Sequence, residues 1–155
     1  MSSAIDNKKE VFSNISQLSE SVGFCAQQDF ALENNTVGEN LEFFAEIKNV
    51  GQDKIKCEVR RVLAKFDLLK FEKMPVSRLS AGWKRKLSIA IALLNDPNIV
   101  IMDEPTSGMD PVTRREYWDI IRKLRQEKKT VVITTQFLDE AEELCDKVAI
   151  LSKGN

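Results

Sequence analysis

From Asn98 to Met102 the chain carries an apolar run that halts at Asp103-Glu104-Pro105. A run that does not alternate fits a strand covered on both faces, the habit of parallel sheets. Its flanks agree. A helix is expected from about Gly82 to Leu94, apolar all round over Ile89–Leu94 and ended by Asn95-Asp96-Pro97. Asp110-Pro111 offers an aspartate N-cap and a proline at the first helical position. Tyr117, Ile120, Ile121 and Leu124 then form a buried stripe, and Lys128-Lys129 ends the helix. Thr130–Thr135 reads as a second apolar strand, Phe137–Cys145 as a helix and Lys147–Leu151 as a third strand. Strand and helix in alternation specify an α/β fold with a parallel sheet and right-handed crossovers. Parallel strands end on one edge. Asp103, Glu104 and Gln136 therefore gather where open α/β folds bind ligands.

The upstream half is organised differently. Residues 1–20 are polar and weakly patterned, a loop or short helix on a domain margin. Val22–Cys25 reads as a short strand leading into the polar loop Gln27–Asn35. Glu39–Asn49 places Leu41, Phe44 and Ala45 on one side of a helix that Gly51 can close. Lys54–Leu69 repeats Ile55, Val59, Val62, Leu63 and Phe66 at spacings of three and four, which leaves Lys56, Arg60, Arg61 and Lys65 on a solvated face.

Composition removes several classes of function. The net charge of −1 gives no electrostatic case for nucleic acid or an anionic membrane surface. The most apolar stretch, Leu87–Leu94, falls well short of the roughly 20 residues that span a bilayer. Three scattered cysteines without a C-x-x-C pair fit reduced thiols in the cytosol. There is no histidine, which excludes a Ser-His-Asp triad and any histidine base or metal ligand.

Two places could carry chemistry. Adjacent carboxylates at the end of a buried strand cost several kcal/mol if left unpaired. A magnesium ion offsets that cost: one carboxylate holds the ion, usually through water, while its neighbour orients an attacking water. The second place is Leu79-Ser80-Ala81-Gly82-Trp83, at a helix start. Ser80 can cap the helix, Ala81 and Gly82 keep the backbone uncrowded, and the free N–H groups and positive dipole end suit an anion.

These motifs, in this order, resemble those of ATP-binding cassettes. Leu79–Trp83 looks like the LSGGQ signature, Ile99–Glu104 like the Walker B strand, Ser107-Gly108-Met109-Asp110 like the D-loop and Gly23–Gln27 like the Q-loop. The strings LSAGWKRKLSIAIALL, IMDEPTSGMDP and ITTQFLDEAEELCDKVAILSKG resemble the A subfamily of eukaryotic full transporters, many of which move lipids. The resemblance covers roughly Val22 to Asn155. It implies a P-loop NTPase-like parallel core of RecA type, about 79–155, with an inserted helical subdomain at about 37–78. It implies ATP and Mg2+ as cofactors, a second cassette packed head to tail, and transmembrane domains of the same transporter, with the cassette on the cytoplasmic face. By the same resemblance Asp103 would bind magnesium through water and Glu104 would be the general base. Gln27 would sense magnesium and the attacking water. Ser80, Ala81 and Gly82 would form the site for the γ-phosphate held by the opposite cassette. Asp110 would act across that interface, and the helical subdomain would dock on coupling helices.

The sequence departs from the family pattern at specific points. No G-x-x-x-x-G-K-[ST] loop occurs, so the backbone cradle for phosphates is expected upstream of this chain. The sheet is expected to be incomplete at both ends and the chain alone inactive. Gln136 stands where the family usually has a histidine on the γ-phosphate; losing one transition-state donor costs about 10²–10³ in rate. Ala81 and Trp83 replace the signature glycine and glutamine. These departures keep two alternatives open: a catalytically degenerate cassette acting as a regulatory or interaction module, and a soluble cassette protein outside transport.

Overall fold

The computed structural model describes residues 21–152, so the reading of 1–20 lies outside the described residues. The elements are β1 (Val22–Cys25), α1 (Val37–Ile47), α2 (Ile55–Lys65), α3 (Ala81–Ala92), β2 (Ile99–Asp103), α4 (Pro111–Gln126), β3 (Thr130–Thr134) and α5 (Leu138–Leu144). Short 3-10 turns at Leu69–Phe71 and Val76–Arg78 lead from α2 to α3. The three strands form one parallel sheet in the order β1-β2-β3. Met102 pairs with Cys25 on one side and Ile133 on the other. That register brings the ends of β1, β2 and β3 to one edge.

One face of the sheet is closed. Cys25, Val100 and Met102 are fully buried and join a core with Leu87, Ile89–Leu94, Tyr117 and Leu124. β1 approaches α3 so closely that a Cβ on Gly23 would lie 2.3 Å from the carbonyl oxygen of Ala92. Only glycine permits that contact. The other face is open among the described residues, which corrects the expectation of a strand covered on both sides. In the register row Phe24–Ile101–Val132, Phe24 is 51% and Val132 49% exposed. The apolar run of β2 marks a strand central in the sheet, with paired neighbours on both edges, rather than one packed above and below.

Four local expectations are corrected. Lys147–Leu151 does not form a strand: Val148, Ile150 and Leu151 are exposed and no ladder joins them to β3. Apolar alternation without a hydrogen-bonding partner does not make a strand. Gly51 does not close α1; Asn49, at φ 57°, takes the left-handed position after the Lys48 C-cap. The second helix stops at Lys65, because Asp67 turns left-handed at φ 58°. Finally, the basic face of α2 is not all solvent. Arg61 donates to Leu93 O at 3.2 Å and Lys65 pairs with Glu127 at 2.7 Å, tying α2 to the far end of α3 and the end of α4.

Candidate functional site

Three polar loops meet at the carboxyl edge. Asp103 is the last residue of β2, and Glu104 follows it with a left-handed φ of 41°, which a side chain rarely adopts. The Glu104 amide donates to Thr134 O at 3.0 Å and to Thr134 Oγ1 at 3.1 Å. Thr134 Oγ1 in turn donates to Asp103 Oδ1. The side chain of Glu104 is met from both neighbouring loops. Gln27 Nε2 donates to Glu104 Oε2 at 3.2 Å, and Gln136 Nε2 donates to the same oxygen at 3.3 Å. Gln27, Asp103, Glu104 and Gln136 are thus one hydrogen-bonded group, assembled from the ends of all three strands.

The two carboxylates are half-buried, not buried. The strand end opens to solvent where the sheet's uncovered face begins, so the several-kcal/mol desolvation cost expected for them does not apply in full. The Glu104 carboxyl group, one oxygen met by the amides of Gln27 and Gln136, is placed within reach of a water at the strand edge, the position a general base requires. For magnesium the donors fit. The ion takes one or two carboxylates, waters and phosphate oxygens, and Asp103 with the Gln27 amide oxygen could supply the protein share. Among the described residues no group of three or more acidic or thiol side chains could hold a metal by itself.

The second group lies across a cleft of about 320 Å³ lined by Gln27, Ser80, Ala81, Gly82, Gly108 and Asp110. Ser80 occupies the N-cap position of α3 in extended backbone (φ −66°, ψ 160°), but its side chain makes no capping bond, contrary to expectation. The first amides of α3 therefore keep donors that the helix itself cannot satisfy, and this end of the helix remains able to receive an anion. Tyr117 Oη donates to Gly82 O at 2.6 Å and fixes that turn from α4. Asp110 is the N-cap expected for α4, with Oδ1 accepting from the amides of Val112 (3.0 Å) and Thr113 (3.1 Å). The Thr113 hydroxyl at 2.6 Å from Oδ2, followed by those amides, holds the Asp110 carboxyl below its usual pKa. Gly108, at φ 74°, makes the turn between the two carboxylates and this cap.

Sequence reasoning missed the residues that join the two groups. Arg85 is 6% exposed and reaches the loops of both Gln27 and Glu104. Ser88 donates to Asp29 at 2.6 Å. Glu140 is buried and accepts from Thr106 Oγ1 (2.8 Å) and Trp118 Nε1 (3.0 Å), linking the turn after Glu104 to the helix after Gln136. A charged residue inside the apolar stripe of a helix was the available signal for Arg85; its partners are carbonyls, which no side-chain pattern reveals.

A family model described as ABC transporter matches residues 2–107. The chain is 41% identical over 145 residues to the phospholipid-transporting ATPase ABCA3 of Mus musculus, an alignment covering 94% of this chain and 8% of that protein. It is 37% identical over 146 residues to the retinal-specific phospholipid-transporting ATPase ABCA4 of Bos taurus, covering 94% of this chain and 6% of that protein. Among solved structures, cbiO1 from Clostridium perfringens, part of the ABC transporter complex cbiONQ, superposes with a TM-score of 0.76 at 27% identity, over 86% of this chain and 54% of that one. The chain thus spans less than a tenth of the curated relatives' length.

Proposed function

The chain belongs to the ABC transporter family and has the P-loop NTPase-type α/β fold of its nucleotide-binding domains, and on that premise we propose that it couples ATP binding and hydrolysis to movement of a phospholipid across a membrane. The observation that carries this reading is Glu104 Oε2 held by Gln27 and Gln136 from opposite sides, beside Asp103. Asp103 and Gln27 would hold Mg2+. Glu104 takes the proton of the attacking water. Gln136, whose amide is shared with Glu104, would face the γ-phosphate. Magnesium, when bound, neutralises charge on the phosphates. Ser80, Ala81 and Gly82 present first-turn amides of α3 to the γ-phosphate held by an opposing cassette, and Asp110 acts at that interface. Residues of about 37–78 form the helical subdomain that meets the transmembrane part, and about 79–155 form the core. The site works from the cytoplasmic face. Among the described residues no helix is long and apolar enough to cross a membrane.

These 155 residues contain no phosphate-binding loop of their own, so by this reading they do not turn over ATP in isolation. The test therefore uses the longest natural product that carries them, purified and placed in phospholipid vesicles. ATP, but not a non-hydrolysable analogue, is expected to drive lipid between leaflets. Transfer that is equal with both, or absent while ATP is consumed, counts against lipid transport. The Gln136 substitution favours one second reading, a cassette that binds nucleotide and regulates a partner. Tight Mg-ATP binding with no turnover above that of Glu104→Gln would select it.

A further inference from the structure

Arg85 carries none of the chemistry proposed for the site, yet its guanidinium touches both catalytic loops. Nε donates to Pro105 O at 3.0 Å. Nη1 donates to Ala26 O and, at 3.0 Å, to Gln27 O. Nη2 donates to Asp103 O at 3.1 Å and Glu104 O at 3.3 Å. Asp29 Oδ1 lies 3.6 Å from Nη1 and also receives the Ser88 hydroxyl, so the Gln27 loop is fastened to α3 at two points. Three consecutive carbonyls, 103 to 105, turn toward one cation. That convergence requires an unusual backbone, and Glu104 has one, with its left-handed φ. Thr134 holds the amide side of Glu104 and Arg85 its carbonyl side.

We propose that Arg85 is a positioning residue for hydrolysis: by gripping the carbonyls of Gln27 and of Asp103–Pro105 together, it sets the distance between the Gln27 amide and the Glu104 carboxylate. Arg85 is on the signature helix, so the anion-binding end of α3 and the water-activating pair move as one piece. Lysine cannot replace it, because a point charge does not span carbonyls from two chains of backbone as a planar fork does. The inference rests on Glu104 acting as the base.

The test compares Arg85→Lys, Arg85→Gln and Ser88→Ala in the longest natural product. The Arg85 variants are expected to lose about 10²-fold in kcat for ATP, the scale of an ångström of misplacement, with KM changed less than about threefold, since Arg85 reaches loops rather than phosphates. Lysine is expected not to rescue. Amide hydrogen exchange without nucleotide is expected to rise at both Gln27–Asp29 and Glu104–Ser107 in the Arg85 variants, and only at the former in Ser88→Ala. Unchanged kcat, or rescue by lysine, overturns the proposal. So does unchanged exchange at either segment. If the unsubstituted protein hydrolyses no ATP, the transport reading fails on its own, and the exchange pattern still decides whether Arg85 sets the two loops.

Discussion

At the scale of single residues, the site is a competition for one carboxylate oxygen. Gln136 Nε2 is spent on Glu104 Oε2, whereas a histidine there could carry a proton and a positive charge toward a phosphate. Gln136→His is expected to raise ATP turnover several-fold in the longest natural product, read as kcat with KM nearly constant; a fall in kcat would show glutamine to be the adapted residue. Trp83 has a structural cause. Its ring meets Phe71 edge-on at 4.7 Å, with Lys70 and Lys86 Nζ at 4.8 and 4.5 Å from its centroid, so it anchors the signature turn to the segment before it. Asp103, Asp110 and the Ser80–Gly82 turn were legible as candidates because they end a strand or begin a helix, whereas Gln27 was singled out by resemblance alone. Arg85, Thr134 and Ser88 were not, because their partners are backbone atoms or side chains 18–59 residues away in sequence. Gly23 is the sharpest steric constraint: Gly23→Ala sets a methyl 2.3 Å from Ala92 O and is expected to cost about 1–3 kcal/mol by overpacking, measured by urea unfolding.

Elements add two further expectations. α1 begins with a capping box that the pattern Thr36-x-x-Glu39 advertises: Glu39 N donates to Thr36 Oγ1 at 3.2 Å and Thr36 N to Glu39 Oε2 at 2.7 Å. Thr36→Ala is expected to lower stability by about 1 kcal/mol, seen as a shifted urea midpoint at constant slope. The far end of α3 is gripped from α1 and α2, where Lys48 Nζ donates to Ala92 O at 2.6 Å and Leu94 O at 3.4 Å. Burial, only partly opposed by the charge of Glu58, lowers the Lys48 pKa to about 8. Below that value the folded state bears the cost of a buried charge. Above it the unfolded chain binds more protons than the folded one, so stability rises with pH from about 8 upward. Burial of the Cys25 thiol, raised to about 11, acts the opposite way only above the ordinary thiol range. Between pH 8 and 9 the chain is therefore expected to gain stability, and Lys48→Met to abolish that gain; a rise that survives the substitution would assign it elsewhere. Helix positions were readable from period and caps, but helix ends were not, since left-handed Asn49 and Asp67 stop α1 and α2 where no glycine stands.

For the molecule as a whole, the open face of the sheet is the telling feature. Phe24, Ile101 and Val132 form an apolar row with no cover among the described residues, and exposed apolar patches mark surfaces awaiting a partner or aggregating without one. Purified alone, the 155-residue chain is expected to bind an apolar dye, and Phe24→Ser with Val132→Thr to reduce that binding. The parallel order of the strands was written in the sequence by alternation of element types. The exposure of one face was not, because an apolar strand looks the same whether its cover lies in the same segment of chain or elsewhere. The central claim, that Asp103-Glu104 is a hydrolytic edge, is tested most directly by Glu104→Gln in the longest natural product, with Mg-ATP binding and turnover measured side by side. Retained binding and a loss of about 10²-fold or more in turnover, the weight of a general base, are expected; equal turnover in the two proteins would rule out a hydrolytic role for Glu104.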